Sequence, residues 1–446
     1  MNTILVKNGY IVTMNPARDI IKGDIFIKGN KIEKIEQNLD DHADEVIDAT
    51  NCAVIPGLIQ THLHLTQRLF QGLSDDMQLL DWLKKRIWPL EAGHTYETNY
   101  ISAKLGIAEL IAGGTTSFID MGTVNHTEAV FEAITESGVR ALAGKCMMDY
   151  GNEVPADLME NTEESVKESE RLAKKYHETA GGRLEYAFAP RFVVSCTEEL
   201  LIKVRDISRA LNLKVHTHAS ENQGEISLVE KRTGKRNIDY LKSIGLTGEN
   251  LILAHCIWLS DYEKQILADS GTMISHCPSS NLKLASGIAE VPELLEMGCN
   301  VSIAADGAAC SNNMDMFTEM RHAALIQKTR LLDPTAMPAE TVFEMATLGG
   351  AKAMGKSDKL GSLETGKIAD MAIVKLDTLH NSPNHGRNIV AQMVYSVRNS
   401  DVQTVIIDGK IVMKDRQLLT LNSAEILADA ERVSVGIIDK VKQLGF

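Results

Sequence analysis

The sequence predicts an α/β protein: a (β/α)8 TIM-type barrel with a small composite β-sandwich domain built from both chain ends. Three observations predict it. From about residue 53 to residue 304, eight apolar, β-branched runs alternate with longer amphipathic stretches, the pattern of parallel strands joined by crossover helices. Each chain end carries a few short strand-like runs, too few to close a core alone. Of the 13 histidines, six fall at the C-terminal ends of the predicted barrel strands, where a barrel of this kind places its chemistry. An open doubly wound sheet is the alternative, but no G-x-G-x-x-G follows a first strand.

The 446 residues suffice for a large core, and the net charge of −14 argues against nucleic acid or an anionic membrane as partner. The seven cysteines (52, 146, 196, 256, 277, 299 and 310) are odd in number, scattered and without C-x-x-C spacing, as in a reduced protein. Met1-Asn2-Thr3 runs straight into Ile4-Leu5-Val6 with no basic-then-apolar leader. No apolar stretch approaches the roughly 18 residues that span a bilayer. The expectation is a soluble, cytoplasmic protein.

Taken in order, residues 1–52 form the N-terminal part of the sandwich. Ile4–Val6, Tyr10–Thr13, Asp24–Ile27 and Lys31–Ile35 alternate like strands, and Lys7-Asn8-Gly9 and Lys28-Gly29-Asn30 supply turns. Residues 53–358 form the barrel. Its strands are read as Ala53–Ile59, Thr116–Met121, Ala141–Met147, Leu184–Pro190, Leu213–Thr217, Leu251–His255, Thr272–His276 and Asn300–Ala304. Helices are read at Glu97–Ala112, Thr127–Ser137, Thr162–Tyr176, Thr197–Leu211 and Glu221–Thr233. Residues 359–446 return to strands (Ala369–Val374, Val402–Ile407, Lys410–Met413) and end in a helix, Ser423–Leu444. The two strand-poor ends are expected to pair with each other beside the barrel.

Reading the strand ends in turn assembles a site. The first leads through Gly57, which permits a close backbone approach, to His62-Leu63-His64, whose i, i+2 spacing aims two imidazoles at one spot. The fifth ends His216-Thr217-His218-Ala219-Ser220-Glu221, the sixth at His255, the seventh at Ser275-His276-Cys277-Pro278, and the eighth at Asp306-Gly307. Imidazoles with one carboxylate and an open position suit a mononuclear divalent metal that acidifies a water. His62, His64, His218 and Asp306 are the expected ligands. Glu221 is expected to shuttle protons to a substrate ring nitrogen, and His255 to orient the water or stabilise the addition product. His216 lies deeper and reads as structural, while Asp306-Gly307 is also a turn signal and Glu221 also a helix-start carboxylate.

These residues, with Asp81-Trp82-Leu83, Ile87-Trp88-Pro89-Leu90-Glu91, Ser279-Ser280-Asn281-Leu282-Lys283-Leu284 and the Leu360–Asp370 segment, resemble the amidohydrolase superfamily. More narrowly, they are similar to its methylthioadenosine/S-adenosylhomocysteine deaminase and triazine chlorohydrolase group. The resemblance spans nearly the whole chain. It implies one divalent metal ion per chain, zinc or ferrous iron, and a homo-oligomer acting on a small heterocyclic substrate. It also implies release of ammonia from an adenosine-like nucleoside such as 5′-methylthioadenosine, S-adenosylhomocysteine or 5′-deoxyadenosine. In that reaction Asp306 is expected to take the water's proton. The fourth strand, ending Ala189-Pro190-Arg191, carries no lysine that could bridge two metals. Two substrate cues diverge: Glu91 matches a ribose-binding carboxylate, whereas Arg191 stands where adenosine-type members have a histidine and resembles guanine deaminases. A deaminase of guanine, a pterin or an aminotriazine is therefore the alternative; a chlorohydrolase and a non-catalytic scaffold carry less weight. Trp88 and His276 complete the expected substrate-binding set with Glu91 and Arg191.

Overall fold

A computed structural model of the protein describes residues 2–384, 386 and 388–443. Eight parallel strands run in sequence order: Leu58–Leu63, Thr115–Met121, Arg140–Gly144 with Cys146–Met147, Leu184–Pro190, Lys214–Ala219, Leu251–His255, Met273–His276 and Val301–Ile303. Neighbours pair in parallel register from the first to the eighth. The eighth strand closes onto the first, where Asp306 N donates to His62 O at 3.2 Å and Ala305 N to the Gln60 side chain at 3.1 Å. Inside that seam the Thr61 hydroxyl meets the Ser275 and Ser302 hydroxyls at 2.7 and 2.8 Å. These buried polar groups are satisfied by one another, so the closure leaves no desolvated hydroxyl there.

Helices fill the outer layer where expected, at Tyr96–Ala112, Thr127–Ser137, Thr162–Tyr176, Glu198–Leu211 and Gln223–Thr233. The last differs from the sequence reading in a way that matters. Asn222 is its N-cap, accepting from Gly224 N, so Glu221 precedes the helix and belongs to the strand end.

The run read as one strand from Ala53 to Ile59 is two strands. Cys52–Pro56 pairs in parallel with Thr3–Val12 and antiparallel with Met371–Lys375, and only Leu58–Leu63 enters the barrel. The chain crosses from one sheet to the other at Gly57, where a Cβ would lie 2.0 Å from Thr116 Oγ1. The third barrel strand is likewise interrupted at Lys145, whose buried ammonium turns to Cys146 O at 3.1 Å.

The outer sheet has nine strands and joins the two chain ends, as expected. Its N-terminal strands (Thr3–Val12, Ile20–Lys28, Lys31–Glu36) and C-terminal strands (Met371–Lys375, Val402–Ile407, Lys410–Lys414) flank Cys52–Pro56 on opposite sides. Ile4, Ile25, Val54, Met371 and Ile406 share one buried apolar core drawn from both ends. The final helix runs from Ser423 to Gln443; Leu444, its expected last residue, lies outside the described residues. No helix among the described residues is long and apolar enough to cross a membrane.

Candidate active site

The C-terminal strand ends converge on one cavity, lined among others by His64, His218, Glu221, His255 and Asp306. The first strand is bulged between Gln60 and Leu63, and this brings the His62 and His64 rings to 4.8 Å, edge to face. His218 lies against both, its ring 4.7 Å from that of His62 and stacked 5.3 Å from that of His64. Each of the three has its Nδ1 tied. His64 Nδ1 donates to Met121 O (2.9 Å), His218 Nδ1 to Arg191 O (2.7 Å), and His62 Nδ1 pairs with His216 Nε2 (2.8 Å). The carbonyl partners fix the tautomer of His64 and His218, whose Nε2 lone pairs turn inward.

Those inward atoms meet one carboxylate. Asp306 Oδ1 is 3.3 Å from His62 Nε2 and 3.5 Å from His64 Nε2, and the two facing nitrogens of His64 and His218 are 3.2 Å apart. His62 Nε2 is buried without a hydrogen-bond partner. Burial pushes His64 down to about 3 and holds His62 and His218 below the ordinary imidazole value, so all three stay neutral, as metal ligation requires. Burial opposes ionisation of Asp306, but His62, His64 and His255 hold it well below the usual carboxylate range. Two overlapping groups, His62–His64–His218 and His62–His255–Asp306, each bring their ligand atoms within 4.8 Å of one another, a set of imidazole nitrogens and one carboxylate that fits a divalent metal ion.

Around this set stand His255 and Glu221. His255 Nε2 lies 3.6 Å from Glu221 Oε2 and 3.9 Å from Asp306 Oδ2, so it stands between the two carboxylates. Burial pushes the Glu221 carboxyl up to about 7. Burial works against a charged His255, yet Glu221 and Asp306 raise it above its ordinary value. Ser220, His255 and Asp306 all have left-handed backbone (φ 56°, 74° and 64°), a strain of roughly 1–3 kcal/mol each that gathers at the site.

Several positioning groups escaped sequence reasoning. Ser280 Oγ donates to Asp306 Oδ2 (2.7 Å), and Asn281 Oδ1 contacts His255 Nδ1 (2.9 Å). Both lie on the short helix Pro278–Lys283, in the quoted Ser279-Ser280-Asn281 run, but only the fold aims them. Behind them Glu319 accepts from Ser279 N at 3.0 Å, and burial pushes its carboxyl up to about 8. Glu319 stays protonated in the fold while it ionises at about 4.5 in the unfolded chain. Its contribution to stability is therefore full below pH 4.5 and is lost as pH rises to 8. Glu319→Gln, which keeps an acceptor for Ser279 N, is expected to flatten the fall in denaturant midpoint between pH 5 and 8; an unchanged slope would contradict this.

The four expected substrate residues are placed differently from one another. Arg191 lines the cavity. Glu91 stands behind it, 2% exposed, and pairs with it: Nη1 to Oε2 at 2.5 Å and Nη2 to Oε1 at 3.2 Å. Gln67, which sequence reasoning missed, lines the cavity and donates from Nε2 to Glu91 Oε1 at 2.9 Å. Trp88 does not line this cavity; Trp82 does, with Leu79 and Leu83. His276 is buried beside the seventh strand end and does not line it either.

The Amidohydrolase family model matches residues 53–412. The chain belongs to that family. A 5′-deoxyadenosine deaminase of Methanosarcina mazei is 39% identical over 442 residues, 99% of this chain and 100% of that protein. A 5-methylthioadenosine/S-adenosylhomocysteine deaminase of Thermococcus onnurineus is 41% identical over 93% of this chain and 95% of its own. Among solved structures, an adenosine deaminase of Xanthomonas campestris with bound zinc superposes with a TM-score of 0.91 at 30% identity, covering 99% of this chain and 98% of that one. The resemblance expected from the strand-end motifs is thus met by family, by relatives and by fold.

Proposed function

We propose that this member of the amidohydrolase family is a metal-dependent aminohydrolase that releases ammonia from an adenosine-like nucleoside. The observation that carries this is the gathering of His62 with His64 and His218, and of Asp306 Oδ1 within 3.3 and 3.5 Å of His62 and His64 Nε2, with Glu221 and His255 beside them at the wall of a cavity. The names of the relatives, a 5′-deoxyadenosine deaminase and a 5-methylthioadenosine/S-adenosylhomocysteine deaminase, support the substrate class. His62, His64, His218 and Asp306 would hold one divalent ion, zinc by analogy with the zinc-bound adenosine deaminase. When bound, such an ion supplies Lewis acidity that brings a water's pKa toward neutrality.

The chain's own groups then handle the protons. Asp306, held by Ser280 Oγ and Gly307 N, takes a proton from the attacking water. Glu221 gives a proton to the ring nitrogen next to the amino-bearing carbon. His255, oriented by Asn281, faces the polar addition product from between the two carboxylates. The water oxygen bonds to the ring carbon, the carbon–nitrogen bond breaks and the amine leaves as ammonia with the proton taken up by Asp306, while the remaining hydroxyl proton returns to Glu221 and leaves a ring carbonyl. The seven free, buried cysteines fit a reducing, cytoplasmic setting.

The test is an ammonia-release assay on 5′-deoxyadenosine and 5′-methylthioadenosine, with metal content measured on the same sample. Turnover that is lost on chelation and restored by zinc is expected. No bound metal, or turnover indifferent to chelation, would overturn the reading.

A further inference from the structure

We infer that Glu225 is a positioning residue for proton transfer: braced by Asn237, its carboxylate clamps the Ser220–Glu221 peptide and so sets where the Glu221 side chain stands. This rests on the role proposed above for Glu221 and names what holds that group in place. The Ser220–Glu221 peptide is gripped at both ends. Its oxygen accepts from Ile257 N and Trp258 N, each at 3.0 Å, in the loop that follows His255. Its N–H donates to Glu225 Oε2 at 2.8 Å. The other Glu225 oxygen accepts from the Asn237 amide, at the start of the helix Asn237–Ser243. Ser220, Glu225 and Asn237 are all buried. Asn237 is fixed in turn by Glu263, which accepts from Arg236 Nε at 2.7 Å and from Ile238 N at 3.1 Å, on either side of it. A buried chain of hydrogen bonds therefore runs from the helix after the sixth strand to the Glu221 peptide.

Two observations make this more than a helix cap. In a capping box the third residue of a helix reaches back to the N–H of the N-cap. Asn222 is the N-cap here and Glu225 the third residue, yet its 2.8 Å contact is with Glu221, one position before the cap. The second lies in how little else directs Glu221. Its carboxylate receives a long hydrogen bond from Ser286 Oγ, 3.4 Å away, and stands 3.6 Å from His255 Nε2, so the backbone decides where it points. That backbone follows Ser220, whose left-handed conformation (φ 56°) persists only where surrounding contacts over-determine it. Ile257 and Trp258 tie the peptide oxygen to the strand end that carries His255, and Glu225 supplies the opposing hold on the nitrogen. Without Glu225 the N–H would be buried with no acceptor, and the peptide would regain one only by moving. Glu221 and His255 would then lose their fixed separation.

The experiment measures kcat, KM and metal content for wild type, Glu225→Ala, Glu225→Gln and Glu221→Gln/Glu225→Ala, with 5′-deoxyadenosine as substrate. Glu225→Ala is expected to lower kcat by about 10–100-fold, up to the ~100-fold that a misplacement of about 1 Å costs, with KM and metal content within ~2-fold of wild type. Glu225→Gln keeps an oxygen for Glu221 N, and its amide meets Asn237 Oδ1, buried without a hydrogen-bond partner, once the Asn237 amide turns over. It is expected to lose less than ~3-fold in kcat. In the Glu221→Gln background, Glu225→Ala is expected to cost nothing further, because the group it positions no longer carries protons. An unchanged kcat in folded Glu225→Ala, an equal loss in both single variants, or a full second loss in the double variant would overturn the inference and leave the Glu221 role standing. Absence of turnover by metal-replete wild type would overturn both. If Glu225→Ala does not fold, Asn237→Ala decides: it removes the brace alone and is expected to lower kcat by at least ~3-fold at unchanged KM, whereas a kcat equal to wild type would overturn the inference.

Discussion

Glu221→Gln is expected to lower kcat by about 10²–10⁴-fold, the usual contribution of a positioned general acid–base group, while metal content and KM change little. Glutamine keeps the size of the side chain and a carbonyl oxygen for Ser286 Oγ, 3.4 Å away, but it cannot carry a proton back and forth. Because Glu221 belongs to neither metal-capable group, His62–His64–His218 or His62–His255–Asp306, its loss should not release the ion. The two readouts together separate roles. Loss of turnover with the metal retained assigns the proton transfer to Glu221; loss of both would make it a ligand, and retained turnover would move the proton transfer elsewhere. Asp306→Asn provides the contrast, since it removes a charged ligand and is expected to lower metal content and activity together.

Much of this was legible in the chain, because the fold and the donor set are written locally. Each barrel strand announces itself by its own apolar run, and His62, His64, His218, His255 and Asp306 each sit within a few residues of a strand end, so counting along the chain is enough to bring them to one end of the barrel. Gly57 was also legible, since only a residue without a side chain passes Thr116 at that distance. What was not legible depends on the other sheet or on tertiary partners. Cys52–Pro56 runs through Gly57 straight into the apolar Leu58-Ile59, and nothing local says that the two strands pair with different sheets. Glu91 and Arg191 are 100 residues apart, so neither motif reveals that the other answers its charge. Trp82 and Trp88 sit at the two ends of the π-helical turn Leu83–Ile87, whose wider period is not readable from the residues, and only Trp82 lines the cavity. Ser280, Asn281 and Glu319 act through contacts that exist only once the short helix after the seventh strand is in place.

Arg191→Met is expected to destabilise the protein by about 3–5 kcal/mol, the cost of leaving one member of a buried ion pair without its partner. Glu91 would then keep only the Gln67 amide as donor, in a position from which water is excluded. Arg191→Met combined with Glu91→Gln should recover most of that loss, because no uncompensated charge remains and the replacements are close in volume. A double-mutant cycle on denaturant midpoints measures the coupling; a single-variant loss below about 1 kcal/mol, or strict additivity, would show that the pair is not a mutually dependent unit. The function of the pair then becomes separable from its role in stability. If the stabilised double variant binds metal normally yet has a raised KM for 5′-deoxyadenosine, the ion pair is held in the wall for recognition, since a neutral, well-packed wall serves the fold as well. An unchanged KM would assign the pair to the fold alone.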